Sequence, residues 1–516
     1  MPDTIDHLVR SQAARHGAKP MVIDQASRLR YRELDSSTSD LAAAFIQAGV
    51  GKGTRVGLIM PNGVRWVQIA IALTRIGAVL VPLSTLLRPR ELASQLRSAA
   101  VQFLISVPEF RGHRYFDAVE SVPKTELPAL QRVWADDQVS SSNAGARALR
   151  MVEPIAKTVT AADTLVIMFT SGSTGAPKGV LHSHGSALGA VRSGPDRAPH
   201  HLGHPAVSAD AVLLGGRVWW RNPLGAARGS HPGDRGAAVP REHLAPAGGR
   251  ARHDVSWVAQ AEALARHPSS VDVDLSALQP GSLQALLPPE RRAQPGARAR
   301  LFGMTEAFGP YCGYRADTDM PPTAWGSCGK PFPGMEIRIV DPETGTRVPA
   351  ETIGQIQIRG PHTLRGLCRR SREEVFTADG YYCSGDLGHL DANGYLFYHG
   401  RSDDMFKVSG ATVYPVEVET ALRTIDGVSN AFVTNVAGAQ GQRVAAAVVC
   451  STPALTSEDL RTSAGQVLSA FKVPTVWLLL ADDADIPRGP TGKVDLQRLR
   501  DMLANTASRL RAPADI

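Results

Sequence analysis

Apolar and polar positions along the chain fall into two alternating periods. Residues 5–14 carry apolar side chains at helical spacing, 21–24 and 29–32 read as the strands of a hairpin, and 33–47 reads as a second helix stopped near Gly49 and Gly51. From residue 55 the rhythm becomes regular: strand 55–60, helix 63–75, strand 78–82, helix 88–99, strand 102–106. Strands alternating with helices of this length predict parallel sheet covered by helices, with ligands met at the strand ends. The Ser/Ala/Gly-rich stretch 139–146 reads as a surface loop.

Further along, 301–302 reads as the end of a strand, and 355–359 as a strand. Asn393-Gly394 reads as a two-residue hairpin turn between strands 387–390 and 395–399. Counting outward from that turn sets Asp386 opposite Arg401. The final stretch is expected to begin with 407–413 and then to carry helix 416–424, strands 429–436 and 443–449, helix 457–468, strand 475–479 and helix 496–503, a compact α+β unit.

Composition narrows the class. At 516 residues the chain exceeds what one hydrophobic core serves, so two or more domains are expected. A hydrophobic share of 43% against 20% charged is that of a globular protein and argues against disorder. The net charge of +7 is scattered, with only short pairs such as Arg291-Arg292 and Arg369-Arg370, which favours anionic small ligands over a nucleic-acid groove. Five cysteines without C-x-x-C spacing indicate neither a disulfide framework nor a zinc site. The amino-terminal residues lack the apolar core of a signal peptide, and the most hydrophobic stretch, 66–83, is interrupted by Arg75, Gly77 and Pro82. A cytoplasmic protein without stable membrane insertion is expected.

The chemistry concentrates at 164–185. An apolar strand, 165–169, runs directly into Thr170, Ser171, Gly172, Ser173, Thr174 and Gly175, followed by Lys178. Glycines let backbone N–H groups turn toward an anion, the hydroxyls add donors, and the lysine adds charge, so this is a phosphate cradle. It is not a Walker A loop, because Pro177 precedes the lysine and Gly179 follows it, and no G-x-G-x-x-G occurs. A flexible Ser/Gly linker is the plain alternative, but a linker would not begin at the end of a buried strand. Three further patterns follow in order: Phe302-Gly303-Met304-Thr305-Glu306, the Asp386/Arg401 couple, and Lys493 after Thr491-Gly492 ahead of the last helix.

The segment TSGSTGAPKG, with these patterns downstream, resembles the signature of the adenylate-forming superfamily of acyl-CoA synthetases, adenylation domains and luciferases. The resemblance implies an α/β fold. A large amino-terminal domain, 1–402, would consist of helix-covered, mostly parallel sheets plus a β-barrel-like subdomain, followed by a small mobile α+β domain, 403–516. It implies ATP, Mg²⁺ and CoA as ligands, and a fatty-acid–CoA ligase type of activity on a carboxylic acid. By the same resemblance, Thr170 to Gly175 and Lys178 hold the triphosphate. Phe302 stacks on adenine, with core packing as its alternative role. Thr305 contacts the α-phosphate, and Glu306 binds Mg²⁺. Asp386 takes the ribose hydroxyls and Arg401 the ribose or phosphate, with a structural salt bridge as the alternative. Asp403 is the hinge, Ser409 and Gly410 meet the thiol carrier's arm, where an ordinary turn is the alternative, and Lys493 is the catalytic lysine. Cys383-Ser384 departs from the basic residue and threonine more often found before that aspartate.

One window does not fit. Residues 192–258 are dominated by Arg, Pro, Gly, Ala and His with little periodicity, where the family places strands, helices and an aromatic, His-bearing motif of the acyl pocket. Two readings stand: a frame-shifted stretch of a GC-rich gene, with the normal pattern resuming near Ala259, or an inserted or disordered loop. Its six histidines, His200, His201, His204, His231, His243 and His253, are too irregularly spaced for a metal site. Three rivals to a CoA ligase follow: an enzyme loading a carrier protein, a catalytically inactive relic, and, resting on charge alone, a nucleic-acid binder.

Overall fold

The computed structural model describes residues 3–24, 27–85, 87–110, 112–140, 142, 144–170, 177–193, 287, 289–299, 301–315, 318–408, 411–438, 441–451, 455–488 and 494–509. The window 192–258 lies outside them apart from residues 192 and 193. Two compact units are present. One comprises Met1–Ile337, Ile358–Tyr382 and Gly394–Leu396, the other Arg338–Gln357, Cys383–Asn393 and Phe397–Ile516. The second therefore takes in 403–516 together with strands that precede residue 403.

The first unit is built on a seven-stranded sheet in the order Gly366–Leu367, Lys178–Ser183, Thr164–Thr170, Val79–Pro82, Arg55–Ile59, Phe103–Ser106, Arg132–Ala135. The last five of these strands are mutually parallel, and the first three pair antiparallel. Val56, Leu58, Ile59, Val81, Leu104, Ile105 and Ile167 are buried throughout, as expected where helices cover both faces. The expected β/α rhythm is present, with ends moved by a few residues: helix Val64–Arg75 and helix Pro89–Ser98 follow their strands, and Pro20–Ile23 pairs with Arg28–Arg30 as the early hairpin.

Arg75, which interrupts the most hydrophobic stretch, is one of the largest fully buried side chains. Its guanidinium meets Asp6 at 2.7 Å and Asp35 at 2.9 Å, so one buried cation ties helix Val64–Arg75 to Ile5–His16 and Tyr31–Gln47. Among the described residues no helix is long and apolar enough to cross a membrane.

Several local expectations are corrected. The loop expected over 139–146 gives way at residue 146 to a helix, Ala146–Lys157, that carries Pro154 inside it, and strand Arg132–Ala135 precedes it. Phe302 begins a strand, Phe302–Met304, and does not end one. The strands about Asn393-Gly394 are longer, Tyr382–Leu390 and Leu396–Arg401, and the connection is five residues because Asp391 Oδ1 accepts the Asn393 N–H at 2.9 Å and makes its own turn. The opening of the carboxy-terminal stretch, 407–413, lies in two short paired strands, Phe406–Val408 and Ala411–Val413. The all-β portion consists of a three-stranded sheet, Phe302–Met304, Gly309–Gly313 and Lys330–Pro331, and a four-stranded sheet, Glu336–Val340, Gly354–Arg359, Tyr382–Leu390 and Leu396–Arg401. Among the described residues both remain open.

In the second unit, strand Gly441–Cys450 pairs antiparallel with Val428–Gly438 and parallel with Val476–Leu480. Its alternation sorts the core. Val444, Ala446 and Val448 join Leu422 of helix Pro415–Leu422 and Leu460 of helix Ser457–Val467, while Ala445, Ala447 and Val449 join Leu499 and Leu503 of helix Leu496–Arg509.

Candidate active site

The two strands that flank the glycine-rich loop are paired. Thr164–Thr170 and Lys178–Ser183 run antiparallel with Lys178 opposite Thr170 and Gly179 opposite Phe169, so both ends of the glycine-rich loop are held in register. Ser171, Gly172, Ser173, Thr174 and Gly175 lie outside the described residues. Thr170 and Lys178 are half-buried at the mouth of the loop. The return strand is fixed on its other side too, where Val180 pairs with Leu367.

The Gly-Met-Thr-Glu segment is a tight reversal. Phe302–Met304 pairs with Gly309–Gly313, a short 3₁₀ turn covers Thr305–Ala307, and Phe308 closes it at φ +55°. Gly303 is required here, because a Cβ would stand 2.4 Å from the Gly309 carbonyl oxygen. The turn buries Thr305 and Glu306 at 5% and 8% exposure. Its backbone is gripped from two directions: His182 Nε2 lies 2.7 Å from the Thr305 carbonyl oxygen, and the Leu364 N–H donates to the Glu306 carbonyl at 2.7 Å. Burial pushes the His182 imidazole down to about 4, against the pull of that hydrogen bond. The ring is therefore neutral at pH 7, donates from Nε2, and sits edge-on to Phe308 at 5.0 Å.

Glu306 Oε1 accepts the Tyr382 hydroxyl at 3.4 Å. The Thr305 hydroxyl is buried and has no hydrogen-bond partner among the described residues. A buried hydroxyl without a partner is costly unless a ligand completes it. Hydroxyl and carboxylate together fit a hard cation that keeps most of its water and shares the rest of its shell with substrate phosphates. Phe302 is half-buried and packs edge-to-face on Tyr311 at 5.6 Å, which is the packing role weighed for it.

In the second unit the Asp386/Arg401 couple is made. Arg401 Nη1 lies 3.2 Å from Asp386 Oδ1, and the Ser402 N–H donates to the Gly385 carbonyl at 2.9 Å, consistent with Asp386 and Arg401 facing across the two strands. Arg401 forks: Nη1 also donates to the Ser384 carbonyl at 2.9 Å, and Nη2 meets Asp403 Oδ2 at 3.1 Å. Burial works against its charge, and Asp386 with Asp403 outweighs that effect, holding the guanidinium above its ordinary value. Gly385, at φ +75°, lets the guanidinium lie 2.8 Å from where a Cβ would stand. The departure at 383–384 is absorbed locally, since Ser384 Oγ accepts the Asp386 N–H at 3.0 Å and donates to the Ile356 carbonyl at 2.8 Å, while Cys383 Sγ accepts from Gln357.

Ser409, Gly410 and Lys493 lie outside the described residues. The chain around them is pinned: Val408 pairs with Ala411, and Arg488 bridges Val494. His182 and the Asp403–Arg401 contact were missed by sequence reasoning. The only signal for His182 was its place on the strand that leaves the cradle.

A model of the family described as AMP-binding enzyme matches residues 9–221 and 259–368, well over half of the chain. The chain belongs to the AMP-binding enzyme family. The stretch of this AMP-binding enzyme left unmatched between the two segments, 222–258, falls inside the anomalous window, and the match resumes at residue 259. A relative from Mycobacterium tuberculosis (strain ATCC 25618 / H37Rv), 3-[(3aS,4S,7aS)-7a-methyl-1,5-dioxo-octahydro-1H-inden-4-yl]propanoyl:CoA ligase, is 29% identical, covering 97% of this chain and 98% of its own. The 3-hydroxybenzoate–CoA/4-hydroxybenzoate–CoA ligase of Thauera aromatica is 28% identical over 93% of this chain and 92% of its own. The fatty acid–[acyl-carrier-protein] ligase ScoC of Streptomyces coeruleorubidus is 26% identical over 95% and 94%. Among solved structures, the anthranilate CoA ligase AuaEII in complex with anthranoyl-AMP superposes with a TM-score of 0.71 at 22% identity, covering 98% of this AMP-binding enzyme and 99% of that chain. The fold is shared.

Proposed function

We propose that this AMP-binding enzyme is an AMP-forming acid–thiol ligase that activates a carboxylic acid as its acyl-adenylate and passes the acyl group to CoA. The observation that carries the reading is the buried Thr305 hydroxyl, without a partner among the described residues and adjacent to Glu306: an oxygen-rich ligand completes it. In the first step a substrate carboxylate oxygen attacks the α-phosphorus of ATP, the bond to pyrophosphate breaks, and the acyl-adenylate forms. Lys178 and the loop 170–175 hold the leaving phosphates, Thr305 donates to an α-phosphate oxygen, and Lys493 bridges carboxylate and nucleotide. Mg²⁺, held by Glu306 when bound, offsets the phosphate charge. Asp386 accepts the ribose hydroxyls while Arg401 donates to ribose or phosphate. Positioning and fixed charge carry the rate, since little covalent work falls to the protein. In the second step the CoA sulfur attacks the acyl carbonyl carbon, its proton leaves, and AMP departs. The segment 403–516 turns about Asp403, withdrawing Lys493 and presenting Ser409-Gly410 to the thiol.

The acid is of acyl or aryl type. The named acids of the relatives include a propanoic acid on a fused bicyclic ring, hydroxybenzoic acids and fatty acids, so a fatty acid is one candidate among these. Pyrophosphate release across a panel of fatty, aryl and steroid-derived acids, with CoA or a carrier protein as acceptor, tests the reading. Adenylate formation with none of them in folded enzyme overturns it. Lys493→Ala is expected to abolish adenylation while keeping thioester formation from a supplied acyl-adenylate.

A second reading, an inactive relic, is favoured by the unmatched 222–258. A thermal melt with ATP and Mg²⁺ separates the two, since a cooperative transition raised by ATP supports the enzyme and the lack of any transition supports the relic. The nucleotide sequence tests the frame shift. If a single-base correction at each end of the window restores no hydrophobic periodicity, the frame-shift account fails.

A further inference from the structure

Within the second unit, two imidazoles the proposed reaction does not use face one another across neighbouring strands. His389, on Tyr382–Leu390, and His399, on Leu396–Arg401, bring Nδ1 and Nε2 to 2.8 Å, with ring centroids 5.0 Å apart and planes inclined by 29°. Both are partly open to solvent. His389 is held firmly. Phe397 stacks on it at 4.9 Å and 4°, and Glu351 Oε2 lies 3.4 Å from its other nitrogen, Nε2.

A carboxylate on one imidazole nitrogen places the proton there and leaves the opposite nitrogen as a lone pair. With its proton on Nε2, facing Glu351, His389 turns the Nδ1 lone pair toward His399, whose Nε2 proton then lies between the rings and leaves when an ion binds. Two imidazole nitrogens bound to one ion at about 2.1 Å, with an angle near 90–110°, stand about 3.0–3.4 Å apart. The observed 2.8 Å is a hydrogen bond as the rings stand and is a few tenths of an ångström short of that span, so an ion would displace the shared proton and part the two nitrogens slightly.

We propose that His389 and His399 form a chelating site for a first-row transition ion of the Zn²⁺ or Cu²⁺ class, with Glu351 backing His389 and water completing the shell. Two neutral imidazoles suit these ions, and a carboxylate behind one ligand raises its basicity. Among the described residues no set of three or more His, Cys, Asp or Glu side chains is arranged around one ion, so this is a two-ligand site open to water. Occupancy would cross-link the two strands that also carry Asp386 and Arg401. The inference is independent of the ligase reading.

The test uses the full-length protein, stripped with EDTA and desalted. Zn²⁺ is titrated by calorimetry, and one equivalent of Cu²⁺ is examined by electron paramagnetic resonance. Because the chain has 15 histidines, variants assign the site. His389→Asn and His399→Asn are each expected to weaken the tightest Zn²⁺ site at least about tenfold, Glu351→Gln to weaken it by about tenfold, and His113→Asn to leave it unchanged. The Cu²⁺ spectrum of the wild type is expected to show two coordinated nitrogens. Anomalous diffraction at the zinc edge from wild-type crystals covers the case in which a variant does not fold, and is expected to place the ion between the two rings. Equal titrations for wild type and folded histidine variants, or an ion lodged elsewhere, overturn the proposal.

Discussion

His182 holds Thr305 by the backbone and not by the side chain: the ring Nε2 is 2.7 Å from the Thr305 carbonyl, while the Thr305 hydroxyl meets no partner among the described residues. The imidazole on the strand leaving the cradle therefore positions the adjoining reversal. Replacing it with an apolar residue, His182→Leu, strands a buried carbonyl, and a stability loss of about 1–3 kcal/mol is expected by thermal or urea unfolding. ATP affinity is expected to fall as well, since the turn loses one of its two tethers, and His182→Gln should recover part of both. Unchanged ATP binding in folded His182→Leu would show the tether to be structural only.

Thr305→Val separates folding from chemistry. The valine has nearly the same shape and removes a buried hydroxyl that has no partner among the described residues, so the melting temperature is expected to stay level or rise. Adenylation is expected to drop on the order of 100-fold, the effect of losing one donor aimed at developing charge. Melting and ATP–pyrophosphate exchange on one preparation decide it. Destabilisation with full exchange activity would remove Thr305 from the reaction.

Acid should loosen the first unit earlier than carboxylate titration alone predicts. Burial pushes His182, His184 and His362 each down to about 4, whereas the same groups in the unfolded chain take up protons at the ordinary value of 6.5. Between these values the unfolded chain binds more protons, so the stability contribution is complete above pH 6.5 and is lost as pH falls toward 4. Each histidine accounts for about 3 kcal/mol over that interval, to order of magnitude. Urea midpoints measured from pH 7.5 to 4.5 should fall steadily. A flat profile would show that these rings gain solvent or partners in the protonated state.

Asp386→Asn keeps shape and removes charge. Arg401 does not become an isolated buried cation, because Asp403 still lies 3.1 Å from Nη2. The melting temperature is therefore expected to shift by only a few degrees, while ATP binding weakens about tenfold or more as the ribose hydroxyls lose a charged acceptor. Calorimetric titration with ATP and Mg²⁺ checks it. Unaltered affinity would return the couple to a structural salt bridge.

How much was legible in the sequence varied with the range of the interaction. The β/α rhythm of residues 55–106 was readable because apolar periodicity is local and each strand is buried on both faces. The Asp386/Arg401 couple was readable because a turn between two adjoining strands sets cross-strand neighbours, even though the turn is five residues long and the strands extend further. Strand Arg132–Ala135 and helix Ala146–Lys157 were missed, since the strand is short and the helix follows a polar stretch and carries Pro154.

The chain's order of residues determined its family, the β/α rhythm of 55–106, and the types of side chain proposed for phosphate, cation and sugar. Tertiary structure alone decided which groups those residues answer to. Arg75 between Asp6 and Asp35, His182 on the Thr305 carbonyl, Leu364 on the Glu306 carbonyl and Glu351 behind His389 all join residues separated by tens of positions. Periodicity carries no information across such distances. Whether a buried polar atom is satisfied depends on which distant segment packs over it, and that is settled only when the elements come together.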